Sequence, residues 1–267
     1  MILKDLKESI FYQSAESALF CDKEIDFVLT SRFGGESLPP YHSLNVSYHI
    51  GDEATYVSAN HHKIMQKFFP HKQLLYLNQI HSHIVLDSAK ALQNANTQNQ
   101  QSILLGNADG IICNDVKYVG LVVVADCNPI LLYAPKSRIF ALLHAGRKGV
   151  CERIVTHAVT KIHNDYGVEG RDIFVFIGAS IRSCCYEVGK DMACDITRLH
   201  GAQYIHSKNN HTMLDMLAML QDECLDLGIV PNHIEILESC SCCEEALFSY
   251  RREGQTGRFG LFASLKS

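Results

Sequence analysis

Three short segments carry residue types that together could hold one metal ion. Gln79-Ile80-His81 follows a short apolar run, Ala125-Asp126-Cys127 closes a valine-rich stretch, and His144-Ala145-Gly146 closes another apolar stretch. Two imidazoles and a thiolate form a catalytic zinc set when a fourth position stays open for water or substrate. Strand ends suit such ligands, because the backbone fixes the side chain while one side stays accessible. The separations between the three are long and make no local motif, so three unrelated core or surface residues remain an open reading of this pattern. Two His and a Cys also suit copper. Cys127 with His144 as its base could instead serve a cysteine hydrolase or amidase, and a metal-binding regulator without turnover is a fourth reading. His83 would share a face with His81 on a strand and is taken as a neighbour of the site, not a ligand. Asp126, next to Cys127, is expected to orient a ligand. A closed structural zinc site needs four ligands, often as CxxC pairs; the nearest candidate, Cys240-x-Cys242-Cys243, has poor spacing for a tetrahedron.

The elements that must position these residues are short apolar runs and amphipathic stretches. Strands are expected at Phe27–Thr30, Tyr118–Ala125, Ile130–Tyr133, Ile139–His144, Ile173–Ile177 and Ile234–Leu237, continuous enough to be buried on both faces. A helix is expected from Cys151, where Ile154, Val155, Ala158, Val159 and Ile162 follow a 3.6-residue period. Two more are expected, at Met213–Leu227 with Gly228 as its cap, and from Ala54 to a stop before Pro70. Strands and helices mix without strict alternation, which favours an α+β fold of layered sheets. No internal repeat or linker divides the chain, so residues 1–267 are read as one catalytic domain. The polar stretch Asn94–Gln101 reads as an exposed loop.

The chain of 267 residues can bury a large core, and its formal charge of −5 argues against a nucleic-acid partner. The opening MILKDLKESIF is broken by charge too early for a signal peptide. No run reaches the roughly 18 apolar residues of a membrane span, so no membrane partner and a cytoplasmic location are expected. In that compartment the 11 cysteines would be reduced, and mostly packing residues.

The segments NQIHSH, ADGIIC, VVVADCNPILLY, LLHAGRKGV, IGASIRSCCYEVG and FSYRREGQTGRFG, with LTSRFGGES and YHSLNVSYHIGDE before them, resemble the YfiH-like family. Its members were first called multicopper polyphenol oxidases or laccase-domain proteins. The resemblance spans about Thr30 to Phe262. It implies a four-layer α/β/β/α sandwich with mixed sheets. It also implies zinc-dependent purine nucleoside phosphorolysis, with adenosine deaminase activity beside it. By motif, the metal ligands carried over are His81, Cys127 and His144, holding one zinc ion, with copper as the alternative ion and a copper-dependent polyphenol oxidase as the alternative activity. The family's HAGWRG here reads HAGRKG, so Arg147 replaces a Trp and Lys148 an Arg; a bidentate fork becomes a point charge.

On that resemblance the substrates are adenosine, inosine or guanosine with phosphate. Phosphorolysis needs an anion site, a polar hold on ribose and stabilisation of the leaving base. Arg32, Arg251, Arg252, Arg258 and Lys148 are the candidate cations, and Ser37 and Asn45 the candidate polar contacts. Glu187, in CYEVG, is the expected proton-transfer acid.

Overall fold

The computed structural model describes residues 9–93 and 101–267. The first eight residues and the polar stretch, apart from Gln101, lie outside the described residues. Among the described residues, fourteen strands run in chain order as β1 Ile10–Gln13, β2 Ile25–Thr30, β3 Gln73–Asn78, β4 Val85–Asp87, β5 Ser102–Asn107, β6 Gly110–Cys113, β7 Tyr118–Val124, β8 Asn128–Ala134, β9 Ile139–Ala145, β10 Phe174–Ile177, β11 Ile205–Lys208, β12 His211–Leu214, β13 Ile234–Ile236 and β14 Phe259–Leu265. The described helices are α1 Ala54–Phe68, α2 Ser88–Leu92, α3 Arg147–Cys151, α4 Ile154–Tyr166, α5 Lys190–Leu199, α6 Met216–Asp226 and α7 Tyr250–Glu253.

Period-two alternation explains how these elements stack. In β9, Phe140 and Leu142 face one core while Ile139, Ala141 and Leu143 face another. The same split divides Leu131 and Tyr133 from Ile130 and Leu132 in β8, and Val122 and Val124 from Val119 and Leu121 in β7. Two six-stranded mixed sheets result, ordered β1-β2-β14-β7-β3-β5 and β13-β10-β8-β9-β6-β4. Their facing sides share a core of Phe27, Leu29, Leu131, Phe140, Phe176 and Leu261. Helix α1 covers the outside of the first sheet through Ile64, and α4 and α6 cover the outside of the second. The expected α/β/β/α sandwich is the observed fold.

Helices α4 and α6 are tied by more than apolar contact. Glu223 is buried, and burial raises its carboxyl. It accepts from the Thr156 backbone N–H at 2.7 Å and hydroxyl at 2.8 Å, so it satisfies a free donor in the first turn of α4. Two helix starts differ from expectation. Cys151 closes α3, and α4 begins only at Ile154, after Arg153 in the left-handed region. Met213 and Leu214 belong to β12, because Asp215 accepts from the Ala218 N–H at 3.0 Å and starts α6 one residue later. Gly228 has a φ of +76° and ends that helix as a glycine should. Among the described residues no helix is long and apolar enough to cross a membrane.

Candidate metal centre and cleft

The site forms where three strand ends meet at one margin of the two sheets. His81 lies just beyond β3, Cys127 sits between β7 of the first sheet and β8 of the second, and His144 is near the end of β9. One Nδ1 or Nε2 from each histidine and the Cys127 Sγ lie within 4.8 Å of one another. The His81 and His144 rings stand edge to face, 4.8 Å apart at 81°. His144 is buried, Cys127 half-buried and His81 exposed, so the set is anchored on one side and open on the other. Gly146 lies against it. A Cβ there would meet His81 Cδ2 at 3.0 Å and Cys127 Sγ at 3.1 Å.

A residue outside the sequence expectations organises this corner. Asp109 is fully buried, where an unpaired carboxylate would be costly. It accepts from His144 Nδ1 at 2.7 Å, from the Ser82 N–H and hydroxyl at 2.6 and 2.7 Å, and from the His81 N–H at 3.1 Å. Burial works against its ionisation, but the bonds from His144 and Ser82 outweigh it and hold the carboxyl below its usual range. The Nδ1 bond also fixes the His144 ring and leaves Nε2 for a ligand, the arrangement that orients metal-binding histidines. The signal was the Asp of ADGIIC, but nothing local links it to histidines on other strands.

The donor set fits a zinc-class ion. Burial opposes ionisation of Cys127, yet His144 and His81 outweigh it and bring the thiol to about 6. Burial likewise opposes charge on His144, while Cys127 and Asp109 raise it to about 9. The corner therefore favours a thiolate, the form that binds metal. His81, Cys127 and His144 could hold the ion at ordinary bond lengths of about 2.0–2.3 Å and leave a fourth position toward solvent.

That position faces a cleft of about 730 Å³ lined by cations and aromatic rings. Arg147, Lys148, Arg251 and Arg258 line it, with Tyr186, Tyr250, His49 and Gln79. Asp126 has a φ of +97°, a conformation that costs non-glycine residues about 1–3 kcal/mol. Its carboxylate accepts from the Ser241 and Ser249 hydroxyls and the Arg251 N–H, each at 2.7 Å. Asp126 thus braces α7 against the corner formed by His81, Cys127 and His144; Asp109, not Asp126, bonds the His144 ring. Arg251 reaches the Cys185 carbonyl at 3.2 Å and the Glu187 carbonyl at 3.1 Å, with its guanidinium 5.1 Å over Tyr186. The Arg258 N–H donates to Asn45 Oδ1 at 3.0 Å. Burial lowers the Arg258 guanidinium, with Cys127 and Asp126 acting in the other direction.

Several expected site residues lie elsewhere. Arg32 pairs with Glu253 and lies over Phe248. Arg252 donates to the carbonyls of Ser241, Cys242, Glu244 and Leu247, so its charge is spent on loop structure. Ser37 is buried and accepts from Asn60 at 3.0 Å. Asn45 is buried and bonds Asp52 and Ser47, so it positions Arg258 from behind and does not line the cleft. Glu187 is exposed and bonds His211 Nδ1 at 2.7 Å, outside the cleft. His83 bonds Glu152 at 2.8 Å and stacks on His157. It does not share a face with His81, because His81 has a φ of +57° and the segment is no strand. The sequence expectations missed Asp109, Tyr186 and Tyr250.

The family described as multi-copper polyphenol oxidoreductase laccase matches residues 26–266. A purine nucleoside phosphorylase of Corynebacterium glutamicum is 33% identical, with 86% of this chain and 90% of that protein aligned. Purine nucleoside phosphorylase YlmD of Geobacillus stearothermophilus is 31% identical, with 88% of each aligned. The crystal structure of YlmD from the same organism superposes with a TM-score of 0.85 and 28% identity, covering 97% of this chain and all of that one (100%).

Proposed function

The chain belongs to the multi-copper polyphenol oxidoreductase laccase family, and from that membership we propose that it is a zinc-dependent purine nucleoside phosphorylase. One observation carries the reading. A three-ligand metal set and four cationic side chains open onto a single cleft. Relatives named purine nucleoside phosphorylase, at 31% and 33% identity, support it.

In this reading a phosphate oxygen forms a bond to C1′ of the nucleoside while the C1′–N9 bond breaks. The base leaves with the electron pair and takes up a proton, and ribose 1-phosphate results. Arg258 and Arg251 hold the phosphate, since fixed guanidinium groups match its oxygens. Tyr186 and Tyr250 provide the aromatic walls for the purine. Arg147 and Lys148 extend the positive field along the rim. His81, Cys127 and His144 hold the zinc, which supplies Lewis-acid stabilisation when bound. Asp109 keeps His144 oriented throughout. Deamination of adenosine by water, giving inosine and ammonia, belongs to the same proposal as a second activity. So do the whole chain as one catalytic domain and a reducing, cytoplasmic compartment.

The family description also names a laccase, so phenol oxidation is the second reading. Among the described residues, however, only one group of three or more metal-competent side chains contains histidine, whereas several coppers need many. Copper's higher affinity for such ligands would load this one site without making it an oxidase.

The test is product analysis on zinc-loaded protein with adenosine, inosine and guanosine, with and without phosphate. The expected result is free base and ribose 1-phosphate only when phosphate is present. Inosine from adenosine without phosphate adds deamination. Phenol oxidation by copper-loaded protein with no nucleoside turnover overturns the reading.

A further inference from the structure

A second group of thiols converges away from the cleft. The sulfurs of Cys184, Cys185, Cys240 and Cys243 all lie within 4.8 Å of one another. Cys185 and Cys243 are 3.4 Å apart, Cys184 and Cys185 3.7 Å, and Cys184 and Cys243 3.9 Å. No two are bonded as a disulfide. A tetrahedral zinc-class ion holds thiolate sulfurs at about 2.3 Å, so its sulfur–sulfur edges are close to about 3.8 Å. The measured separations cluster around that edge. A multi-iron cluster, which spreads its thiolates across its own width, does not fit them.

The backbone makes this convergence more than a choice of rotamers. Cys184 and Cys185 follow β10, and Cys240 and Cys243 follow β13, its parallel neighbour. Ser180 and Cys240 continue that pairing as a parallel bridge, with the Ser241 N–H on the Ser180 carbonyl at 3.0 Å. The Arg182 N–H donates to Cys240 Sγ at 3.4 Å, and the Cys243 N–H turns back onto the Cys240 carbonyl at 3.0 Å. The spacing Cys240-x-x-Cys243 is thus a metal-type turn, and Cys242 between them stands aside. The spacing of Cys240-x-Cys242-Cys243 reads as poor for a tetrahedron by itself; the sulfurs that converge are those of Cys240 and Cys243 with Cys184 and Cys185 from a distant loop.

We propose that Cys184, Cys185, Cys240 and Cys243 bind a structural zinc-class divalent ion as a tetrathiolate, in addition to the ion held in the cleft. Binding releases the thiol protons to solvent, each sulfur donates a lone pair, and nothing is oxidised. The ion joins the two loops that hold the cationic wall. Arg251 donates to the Cys185 carbonyl, and Arg252 to the Ser241 and Cys242 carbonyls. The ion therefore positions Arg251 and takes no part in the chemistry.

Two measurements test this on the intact chain. Elemental analysis of protein loaded with zinc and freed of loose metal is expected to show two ions per wild-type chain. Cys127→Ala protein and Cys184→Ser/Cys243→Ser protein are each expected to hold one. Cobalt-loaded Cys127→Ala protein is expected to show the strong visible bands of a tetrahedral tetrathiolate. Alkylation of the native wild type needs no variant. Cys184 and Cys243 are as exposed as Cys21 and Cys194, yet are expected to react only after a chelator is added, while Cys21 and Cys194 react at once. One ion per wild-type chain, or Cys184 and Cys243 alkylating at the rate of Cys21 and Cys194, overturns the proposal.

Discussion

The molecule presents two thiol-bearing corners, one with three donors and one with four. His81, Cys127 and His144 mix nitrogen with sulfur, stand at strand ends and open onto a cleft of about 730 Å³. Cys184, Cys185, Cys240 and Cys243 are sulfur alone and converge between two loops. A site with an unfilled position can take part in a reaction, whereas one with four protein ligands has spent its coordination on structure. The supporting bonds follow the same division. Buried Asp109 orients His144 from a core position, while the thiol cluster rests on backbone N–H and carbonyl groups. Arg251 couples the two corners, with its N–H on Asp126 beside Cys127 and its guanidinium on the Cys185 carbonyl.

Substitutions can break this division. The largest effect is expected at the open corner, where Cys127→Ala or His144→Ala reduces ribose 1-phosphate formation to background and removes one ion per chain. Asp109→Asn keeps the volume but loses the charge that holds His144. Zinc affinity, measured by competition with a chromophoric chelator, is expected to fall roughly 10- to 100-fold. If Arg258 holds phosphate as proposed, Arg258→Ala is expected to remove a charge-assisted contact of about 1.5–3 kcal/mol, which corresponds to an increase in KM for phosphate on the order of tenfold to a hundredfold. KM for the nucleoside is expected to change far less, and equal losses in both would undo the assignment.

At the closed corner the effect is smaller and of another kind. Cys184→Ser/Cys243→Ser protein is expected to lose its structural ion and melt at a lower temperature. Its KM for phosphate rises severalfold through a loosened Arg251, with kcat within about twofold because no reacting group has moved. The smallest change is expected for Glu187→Gln, whose carboxylate bonds exposed His211; initial rates should stay within about fivefold, as for exposed ion pairs of about 0–1 kcal/mol. A larger loss would return Glu187 to proton transfer.

The two corners were also unequally legible in the sequence. Strands β7, β8 and β9 are apolar on both faces, so their runs marked the core, and the ligands at their ends could be picked by residue type. Helix α4 was visible from its period. Strand β14 was not, although it pairs with β2 and β7 in the middle of its sheet. Gly260, Ala263 and Ser264 dilute its apolar signal, and a Cβ at Gly260 would come within 2.7 Å of the Leu121 side chain. The cleft was legible in part. Arg251 and Arg258 lie where the motif suggested, but Arg32, Arg252, Ser37 and Asn45 are taken up by local bonds that residue type does not reveal. Asp109 and the four-thiol cluster depend on contacts between distant segments, and no periodicity encodes those.

The most direct test of the central claim is phosphate-dependent ribose 1-phosphate formation from inosine, measured side by side on Cys127→Ala and Cys184→Ser/Cys243→Ser protein with the zinc content of each sample known. The account predicts one ion per chain in both, with turnover absent from the first and retained by the second. Turnover that survives in Cys127→Ala protein, or that disappears only with the four-thiol ion, would contradict it.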